Sequence, residues 1–405
     1  MQSPTGPAGV RETHRIVRLV MIAAFASSAA MRVCDPMLPE LAAEFGVGLP
    51  AAAGVITGFS VSYALLQLVI GPLGDRFGKF LVIRFATTLA ALASLGCALA
   101  SGLDWLVFAR VLAGGVGGAI MPVAFAWIGD EVPYEERQPV LARVMGGALL
   151  GVICGQLIGG IFVDTVGWRW AFAALGLVFS AVAAMMWRSP AARRTPAPAP
   201  AGGALRPATL LRGYAAILRP RWSRWVITVV LIEGTLFYGA LAFVPSALHA
   251  RFGIPLWQAA LAAAVVGAGG YLYTMMAQRL IARLGERGLA AVAGGCVGAA
   301  LLSVGLAPAP AFAVAACLLL GVGFYAFHNT LQVHGTQLST SHRSTGMALF
   351  ALALFAGQSL GVAAASMLVA LAGFPAAFAS AALAFLLLTV AFVRSLRARP
   401  SAAPV

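Results

Sequence analysis

Four charged residues stand inside long apolar stretches of this chain, in which only 10% of the residues are charged. They are Arg32, Asp35, Arg110 and Glu233. An ionisable group surrounded by apolar sequence is costly unless it is paired, and such groups commonly form proton or ion pathways. Arg32 and Asp35 are three residues apart and therefore share a helix face. Burial and a nearby arginine act in opposite directions on a carboxyl group, so we expect Asp35 to take up and release protons.

Each of these charged residues also has a structural interpretation, and the sequence leaves it open. Arg110 could extend along its helix to the membrane surface. Arg32 and Asp35 could form an exposed ion pair at the membrane edge, because the two prolines that follow favour an early end of the helix. Glu233 could be a hydrogen-bonded structural acid rather than a coupling group.

The composition indicates a protein that crosses a membrane many times. The chain has 405 residues, of which 61% are hydrophobic, and its mean hydropathy is +0.92. Soluble chains contain about 45–50% apolar residues. The net charge of +14 is dispersed among apolar segments and forms no basic patch interleaved with aromatic residues. We therefore expect no nucleic-acid partner.

The cysteines and histidines predict neither a metal site nor a cofactor. All five cysteines lie inside apolar runs, and none has the spacing of a metal-binding or redox motif. His328 and His334 are six residues apart, on different faces of a helix, so a shared metal ion is not expected. The sequence also contains no recognisable convergent set of nucleophile, base or metal ligands, which argues against an enzyme.

Apolar segments of about 20 residues, long enough to cross a bilayer, recur twelve times. The first of these segments could instead imitate a signal peptide. Its apolar run continues to Leu38, however, which is long enough to cross the bilayer, and the even number of spanning segments requires it. We number them spans 1 to 12, and their predicted limits are 16–38, 49–71, 80–101, 104–128, 139–163, 169–188, 225–248, 257–281, 288–306, 311–334, 346–371 and 374–394.

The longest polar stretch divides the twelve spans into two groups of six. It covers residues 189–224 and contains "RRTPAPAPAGGALRP", which is typical of a flexible linker. The predicted organisation is a six-span half over 1–188, the linker, and a second six-span half over 225–405. Short stretches recur in order, "LGDRFGK" with "LIARLGER" and "CGQLIGG" with "AGQSLGV", so the halves are interpreted as a duplication.

The distribution of lysine and arginine predicts the orientation. With the N-terminus inside, the inner segments carry 23 of the 27 basic residues and the outer segments carry only Arg169 and Arg251. Positively charged loops remain on the cytoplasmic side. We therefore expect both termini in the cytoplasm, in an inner or plasma membrane, with the basic residues facing anionic membrane lipid.

The loop between spans 2 and 3 reads "GPLGDRFGK" over 71–79 and gathers charge between apolar runs. Its glycines are expected to allow a tight turn, and Asp75 to accept from helix N-termini, whose amides attract anions. The residues assigned to this inner loop are Gly71, Gly74, Asp75, Arg76, Gly78 and Lys79.

Spans 4 and 5 carry glycines at four-residue spacing, which gives each helix a smooth face for close packing. Span 4 reads "RVLAGGVGGA" from Arg110, and span 5 reads "GGALLGVICGQLIGG". We expect the span 5 stripe to pack on span 8, in a seam between the halves. The residues assigned to this packing motif are Gly147, Gly151, Gly155, Gln156, Gly159 and Gly160.

Taken together, these motifs resemble those of the major facilitator superfamily, and in particular its twelve-helix drug:proton antiporters. The resemblance implies an all-α fold of two six-helix halves that rock around a central cavity. It implies that the 71–79 loop latches the inner side, that Arg110 serves proton transfer, and that the glycine stripe belongs to exporters. Two departures stand out, since Phe80 replaces a frequent basic residue and Gln156 replaces the usual proline of the stripe.

Polar and aromatic side chains on several spans are candidates to line the cavity, although each could equally serve ordinary packing. They are Tyr63, Gln67, Tyr238, Tyr271, His328, Asn329 and Gln358.

The predicted function is proton-driven export of a small organic solute, with drugs or amphipathic metabolites as substrates and the protein acting as a monomer. Asp35, Arg110, Glu233 and Arg32 are the predicted proton-coupling residues. A sugar or metabolite symporter or facilitator of the same fold is the alternative. A membrane sensor that does not transport is a more distant one.

Overall fold

The structure, a computed structural model, describes residues 7–189, 207–339 and 343–398. Within these ranges the chain is helical and contains no strand, which confirms the all-α prediction. A 3-10 turn, Asp35–Met37, lies between the first two helices. In chain order the helices are α1 Pro7–Arg32, α2 Leu38–Glu44, α3 Leu49–Ala52, α4 Gly54–Leu66, α5 Ile70–Phe77, α6 Lys79–Ala98, α7 Leu103–Glu131, α8 Tyr134–Thr165, α9 Trp168–Arg188, α10 Pro207–Leu218, α11 Arg221–Leu241, α12 Val244–Phe252, α13 Leu256–Leu306, α14 Pro310–Thr336 and α15 Arg343–Ala398.

Ten helical stretches of the described residues are long and apolar enough to cross a membrane. Two of these, α13 with 51 residues and α15 with 56, are long enough to cross twice. Each contains a non-helical glycine, Gly285 with φ 63° and Gly373 with φ 81°, a backbone conformation that only glycine adopts without strain. Dividing both helices at these glycines gives the twelve segments expected from the hydropathy.

The helices group into two compact units. In the first unit α1 packs on α8, α4 on α7, and α6 on both α7 and α9. In the second unit α13 packs on α14, and α11 and α13 pack on α15. The boundary between the units falls between Tyr214 and Ala215, and the short segment Gly48–Ala53 groups with the second unit.

The predicted linker 189–224 contains a helix. Residues 190–206 of it lie outside the described residues. Residues 207–218 form α10, so the prediction of a flexible connection is wrong there. Pro207 occupies the first position of this helix, where proline is tolerated, and "ATLLRGYAAIL" then supplies mostly good helix formers. The phenol of Tyr214 donates a hydrogen bond to the carbonyl of Leu68 over 2.9 Å, which ties α10 to the first unit.

The first helix ends before the predicted limit of span 1. α1 stops at Arg32, and the chain passes through the Asp35–Met37 turn into α2 instead of continuing to residue 38. Pro36 and Pro39 explain the break, because proline removes a backbone donor and fits only the first turn of a helix. The second unit repeats the arrangement, since α11 ends at Leu241 and α12 begins with Val244 and Pro245.

Candidate functional site

Asp35 lies in the buried turn that follows α1. Its side chain is 0% exposed and that of Arg32 is 1% exposed. The early end of the helix therefore does not expose this pair to solvent. Nη1 of Arg32 lies 3.4 Å from Oδ2 of Asp35. The predicted pair therefore exists, but in the interior of the first unit rather than at an exposed edge. A buried ion pair needs further hydrogen bonds to offset the loss of hydration.

Gln156 supplies such a bond from a different helix. Its Nε2 on α8 donates to Oδ2 of Asp35 over 2.7 Å, although the two residues are 121 positions apart. Oδ1 of Asp35 and Oε1 of Gln156 are buried and have no hydrogen-bond partner within the described ranges. The sequence placed Gln156 in a packing motif and missed its contact with Asp35. The signal was present, since Gln156 stands where the family pattern has proline.

Arg110 is held by backbone carbonyl groups. Its Nη1 donates to the carbonyl of Ala30 on α1 over 2.7 Å, and its Nε donates to that of Val55 on α4 over 3.2 Å. The guanidinium carbon lies 4.1 Å from the centre of the Phe59 ring. With only 1% exposure, Arg110 does not reach a surface of the unit. It forms no ion pair with Asp35 in the described part of the chain, and acts on it only through the electric field.

The glycine stripe of α8 packs against α1. A Cβ atom added at Gly155 would lie 2.4 Å from the carbonyl oxygen of Ala29, and one added at Gly151 would lie 2.2 Å from that of Phe25. The backbones therefore touch, as small-residue stripes permit. The expectation that this stripe packs on span 8 is wrong. Its partner is α1, the helix that leads to Asp35. The sequence could not select this partner, because a smooth glycine face can pack against any helix backbone.

The remaining members of the motif agree with this packing. Gly147 also faces α1, at Met21, Gly159 faces Val33 directly after the end of α1, and Gly160 is buried. The second unit repeats the contact, since Cβ atoms at Gly357 and Gly361 of α15 would lie 2.1 Å and 2.0 Å from carbonyl oxygens of α11. The stripes thus join the first and fifth spans of each six-span half.

Glu233 and His328 form a buried acid–base pair in the second unit. Oε2 of Glu233 on α11 lies 3.0 Å from Nδ1 of His328 on α14. Glu233 is 0% exposed, whereas the His328 side chain is 17% exposed and so forms the more accessible end of the pair. Oε1 of Glu233 is buried and has no hydrogen-bond partner in the described ranges. Sequence reasoning named both residues but did not join them, because 95 positions separate them.

Aromatic rings surround this pair. The ring of Phe324 stacks on His328 with centres 5.4 Å apart, and its other contacts include Phe237 and Tyr238. Phe350 packs on His328 from α15, also with 5.4 Å between ring centres. The faces of such rings carry negative charge density and attract cations. A carboxylate inside this cluster gives the second unit a site that suits either a proton or an organic cation.

The other predicted cavity residues are distributed over both units. Nε2 of Gln67 donates to the carbonyl of Gly118 over 3.0 Å, in a turn that interrupts span 2 between α4 and α5. Nδ2 of Asn329 donates to the hydroxyl of Tyr273 over 2.8 Å. Tyr271 is 60% exposed. Of the remaining residues Tyr63 and Gln358 are buried and Tyr238 is half-buried.

The inner loop is more helical than expected. Gly71 and Gly74 lie within α5, and only Gly78, with φ 90°, makes the turn before α6. Nζ of Lys79 lies 2.5 Å from Oδ2 of Asp130 at the end of α7, and 3.9 Å from Oδ1 of Asp75. The Asp75 side chain is 75% exposed. Within the first unit, Lys79 therefore ties the loop to α7 through Asp130, which the sequence analysis did not single out.

Known proteins similar to this chain are transporters. The family model described as Major Facilitator Superfamily matches residues 20–340. The multidrug export protein EmrB of Escherichia coli (strain K12) is 30% identical over 159 residues, which cover 38% of this chain and 31% of EmrB. The inner membrane transport protein YnfM of the same strain is 27% identical over 262 residues, which cover 64% of this chain and 60% of YnfM. The chain thus spans less than two thirds of the length of either relative.

Solved structures share the whole fold at low sequence identity. An inward-facing, unoccupied bacterial homologue of the human lysosomal transporter Spinster is 18% identical, with a TM-score of 0.75 and coverage of 97% of this chain and 99% of that chain. A POT family transporter in complex with 5-aminolevulinic acid is 12% identical, with a TM-score of 0.76 and coverage of 94% and 96%. From the family match over most of the chain, together with the shared fold, it follows that the chain belongs to the Major Facilitator Superfamily and is a membrane transport protein rather than an enzyme.

Proposed function

We propose that this protein exports small amphipathic or cationic organic solutes in exchange for protons. The similarity to proteins named for multidrug export and resistance, EmrB and EmrY, supports the class of substrate. The aromatic cluster around Glu233 supports it independently, because a carboxylate among rings suits a cation with apolar groups. Alternating access to the two sides of the membrane would move the solute.

The observation that carries the proposal is a fully buried carboxylate in each unit. Asp35 and Glu233 are both 0% exposed, and each has one oxygen without a hydrogen-bond partner in the described residues. A group of this kind is expensive to bury and is a functional-site candidate when it lies within a membrane protein. We assign to these two carboxylates the binding of the coupling proton.

The surroundings of the two carboxylates suggest different roles. Asp35 faces the permanent charge of Arg32 and an amide donor, Gln156, so its protonation would remove the charge attraction to Arg32 and weaken the hydrogen bond from Gln156. Glu233 faces His328, which can itself accept a proton, so the pair can pass a proton between its members. Arg110 would respond to the charge of Asp35 through the field between them.

The proposal includes the setting of the protein in the cell. We place both termini in the cytoplasm and the protein in the inner or plasma membrane, from the excess of basic residues in the predicted inner segments. We further propose that it functions as a monomer, with the 71–79 loop acting as a latch on the cytoplasmic side.

Everted membrane vesicles provide the test. Their lumen is acidified by respiration, and the gradient is followed with a fluorescent pH probe. Tetraphenylphosphonium, an amphipathic organic cation, is then added outside, which corresponds to the cytoplasmic side. Exchange of this cation for protons would collapse the gradient in vesicles that contain the protein, and vesicles without it provide the baseline.

Variants decide which residues carry the protons. Asp35→Asn and Glu233→Gln are expected to abolish the collapse, while Asp104→Asn, at an exposed acid of α7, should behave like the unmodified protein. A cation that enters the vesicles without any loss of the gradient would overturn proton exchange and favour a facilitator. Proton-linked movement of glucose in the opposite direction would favour the sugar symporter.

A further inference from the structure

Arg84 is a buried cation that the proposed transport cycle does not use. Arg84 lies on α6 and is 5% exposed. Its Nε and Nη1 atoms are buried without a hydrogen-bond partner, and its side chain forms no ion pair in the part of the chain that the structure describes. A guanidinium withdrawn from water in this way is costly unless an anion or ring compensates it.

Aromatic rings compensate part of this cost. The guanidinium carbon of Arg84 lies 4.4 Å from the centre of the Trp187 ring and 5.3 Å from that of Phe80. Nε1 of Trp187 donates to Oγ1 of Thr88 over 3.0 Å, and Thr88 Oγ1 donates to the Arg84 carbonyl over 2.8 Å. Phe85 meets Trp187 edge-on at 5.2 Å. The tryptophan is therefore positioned beside the arginine by its hydrogen bond to Thr88 and by the neighbouring ring of Phe85.

The position of this cluster corresponds to a membrane interface. Arg84 lies five residues after Lys79, the first residue of α6, or about 7.5 Å along the helix axis. Trp187 is the penultimate residue of α9 and is 44% exposed. Tryptophan is enriched at the level of the lipid headgroups. The basic residues of the neighbouring segments assign these helix ends to the cytoplasmic leaflet, where anionic lipids are concentrated.

The chemistry of the cluster selects a phosphate ester. A guanidinium is planar and presents several donors that match the geometry of phosphate oxygens. The half-exposed rings of Trp187 and Phe85 supply apolar surface beside it, where glycerol and the first acyl carbons of a lipid would lie. A small rotation of the Trp187 side chain would admit a phosphate oxygen to the unpartnered nitrogens.

We propose that Arg84, Trp187 and Phe80 form a binding site for the phosphate group of a phospholipid of the cytoplasmic leaflet. The site lies wholly within the first unit and holds α6 to α9 from the lipid side. The exposed Arg188 next to Trp187 provides a second positive charge at the rim, so an anionic headgroup is favoured over a zwitterionic one.

Thermal unfolding of the purified full-length protein in detergent tests the site. Phosphatidylglycerol, phosphatidylcholine and inorganic phosphate are titrated separately. We expect phosphatidylglycerol to raise the midpoint of unfolding more than phosphatidylcholine, and Arg84→Gln to weaken the apparent affinity for phosphatidylglycerol roughly tenfold. Arg188→Gln, at the rim, should weaken it much less.

A second measurement remains informative even if Arg84→Gln does not fold. Phosphatidylglycerol brominated near the headgroup should quench the fluorescence of Trp187, measured as the difference between the unmodified protein and Trp187→Phe. Equal stabilisation by inorganic phosphate would overturn a lipid site in favour of a free anion. Equal affinity of the unmodified protein and Arg84→Gln, or no quenching assigned to Trp187, would show that the rings alone satisfy Arg84 and would also overturn the proposal.

Discussion

Oε2 of Glu233 and Nδ1 of His328 lie 3.0 Å apart, although the two residues are 95 positions apart in the sequence. The pair has the same net charge whether the shared proton resides on the acid or on the imidazole. A proton can therefore move between the buried carboxyl group and the more exposed ring without creating an isolated buried charge, which would be costly. This relationship makes the second unit, as well as the first, a place where a coupling proton can bind.

Replacing Glu233 with glutamine should separate binding from proton exchange. Glutamine has nearly the same shape and can still bond to His328, but it cannot take up a proton. We expect tetraphenylphosphonium to bind more weakly but still measurably, because the negative charge is lost while the rings of Phe324 and Phe350 remain, and gradient-driven transport to fall to background. Glu286→Gln, at a half-exposed acid of the same unit, is the control. Unchanged proton-driven transport in Glu233→Gln would remove the pair from the coupling mechanism.

Replacing Asp35 with asparagine should abolish proton release and also destabilise the first unit. The change removes the carboxylate that faces Arg32, and disruption of a fully buried ion pair costs about 3–5 kcal/mol. A lower midpoint of thermal unfolding is therefore expected in detergent. The double variant Asp35→Asn with Arg32→Gln should recover part of this stability without recovering proton release upon substrate binding. If the double variant transports normally, Asp35 has only a structural role.

A larger side chain at Gly155 should destabilise the packing of α8 on α1. Even a Cβ atom would lie 2.4 Å from the Ala29 carbonyl oxygen, so the two backbones must separate. We expect Gly155→Ala to lower the free energy of unfolding by about 1–3 kcal/mol or more. Gly146→Ala is the matched control on the same helix, since a Cβ atom there meets nothing within 4 Å. Equal unfolding midpoints for the two variants would contradict the close contact.

Two acids near Lys79 should have different effects when they are removed. Asp75 is 75% exposed and 3.9 Å from Lys79, so its contribution to stability is at most about 1 kcal/mol. If it forms the latch, Asp75→Ala should reduce transport while the unfolding midpoint hardly changes. Asp130→Ala removes the closer contact and should lower that midpoint more. Wild-type transport by Asp75→Ala would leave the 71–79 loop as a simple turn.

The sequence by itself determined the properties that depend on neighbouring residues. Long apolar runs specify spanning helices, because backbone groups in a bilayer must be satisfied within the same segment. The Arg32–Asp35 pair followed from a spacing of three residues. The breaks at Gly285 and Gly373 fall in the gaps that the hydropathy predicted between spans 8 and 9 and between spans 11 and 12, and their positive φ follows from glycine's tolerance of that backbone region.

Only the tertiary structure decided which segments meet. The four-residue glycine spacing predicts a smooth face on α8 but fits any helix backbone, so the partner α1 could not be chosen in advance. Gln156 reaches Asp35, and His328 reaches Glu233, across separations of 121 and 95 residues. Such contacts depend on the relative rotation and depth of packed helices. Those quantities arise from close packing over the whole unit, and no local pattern in the sequence contains them.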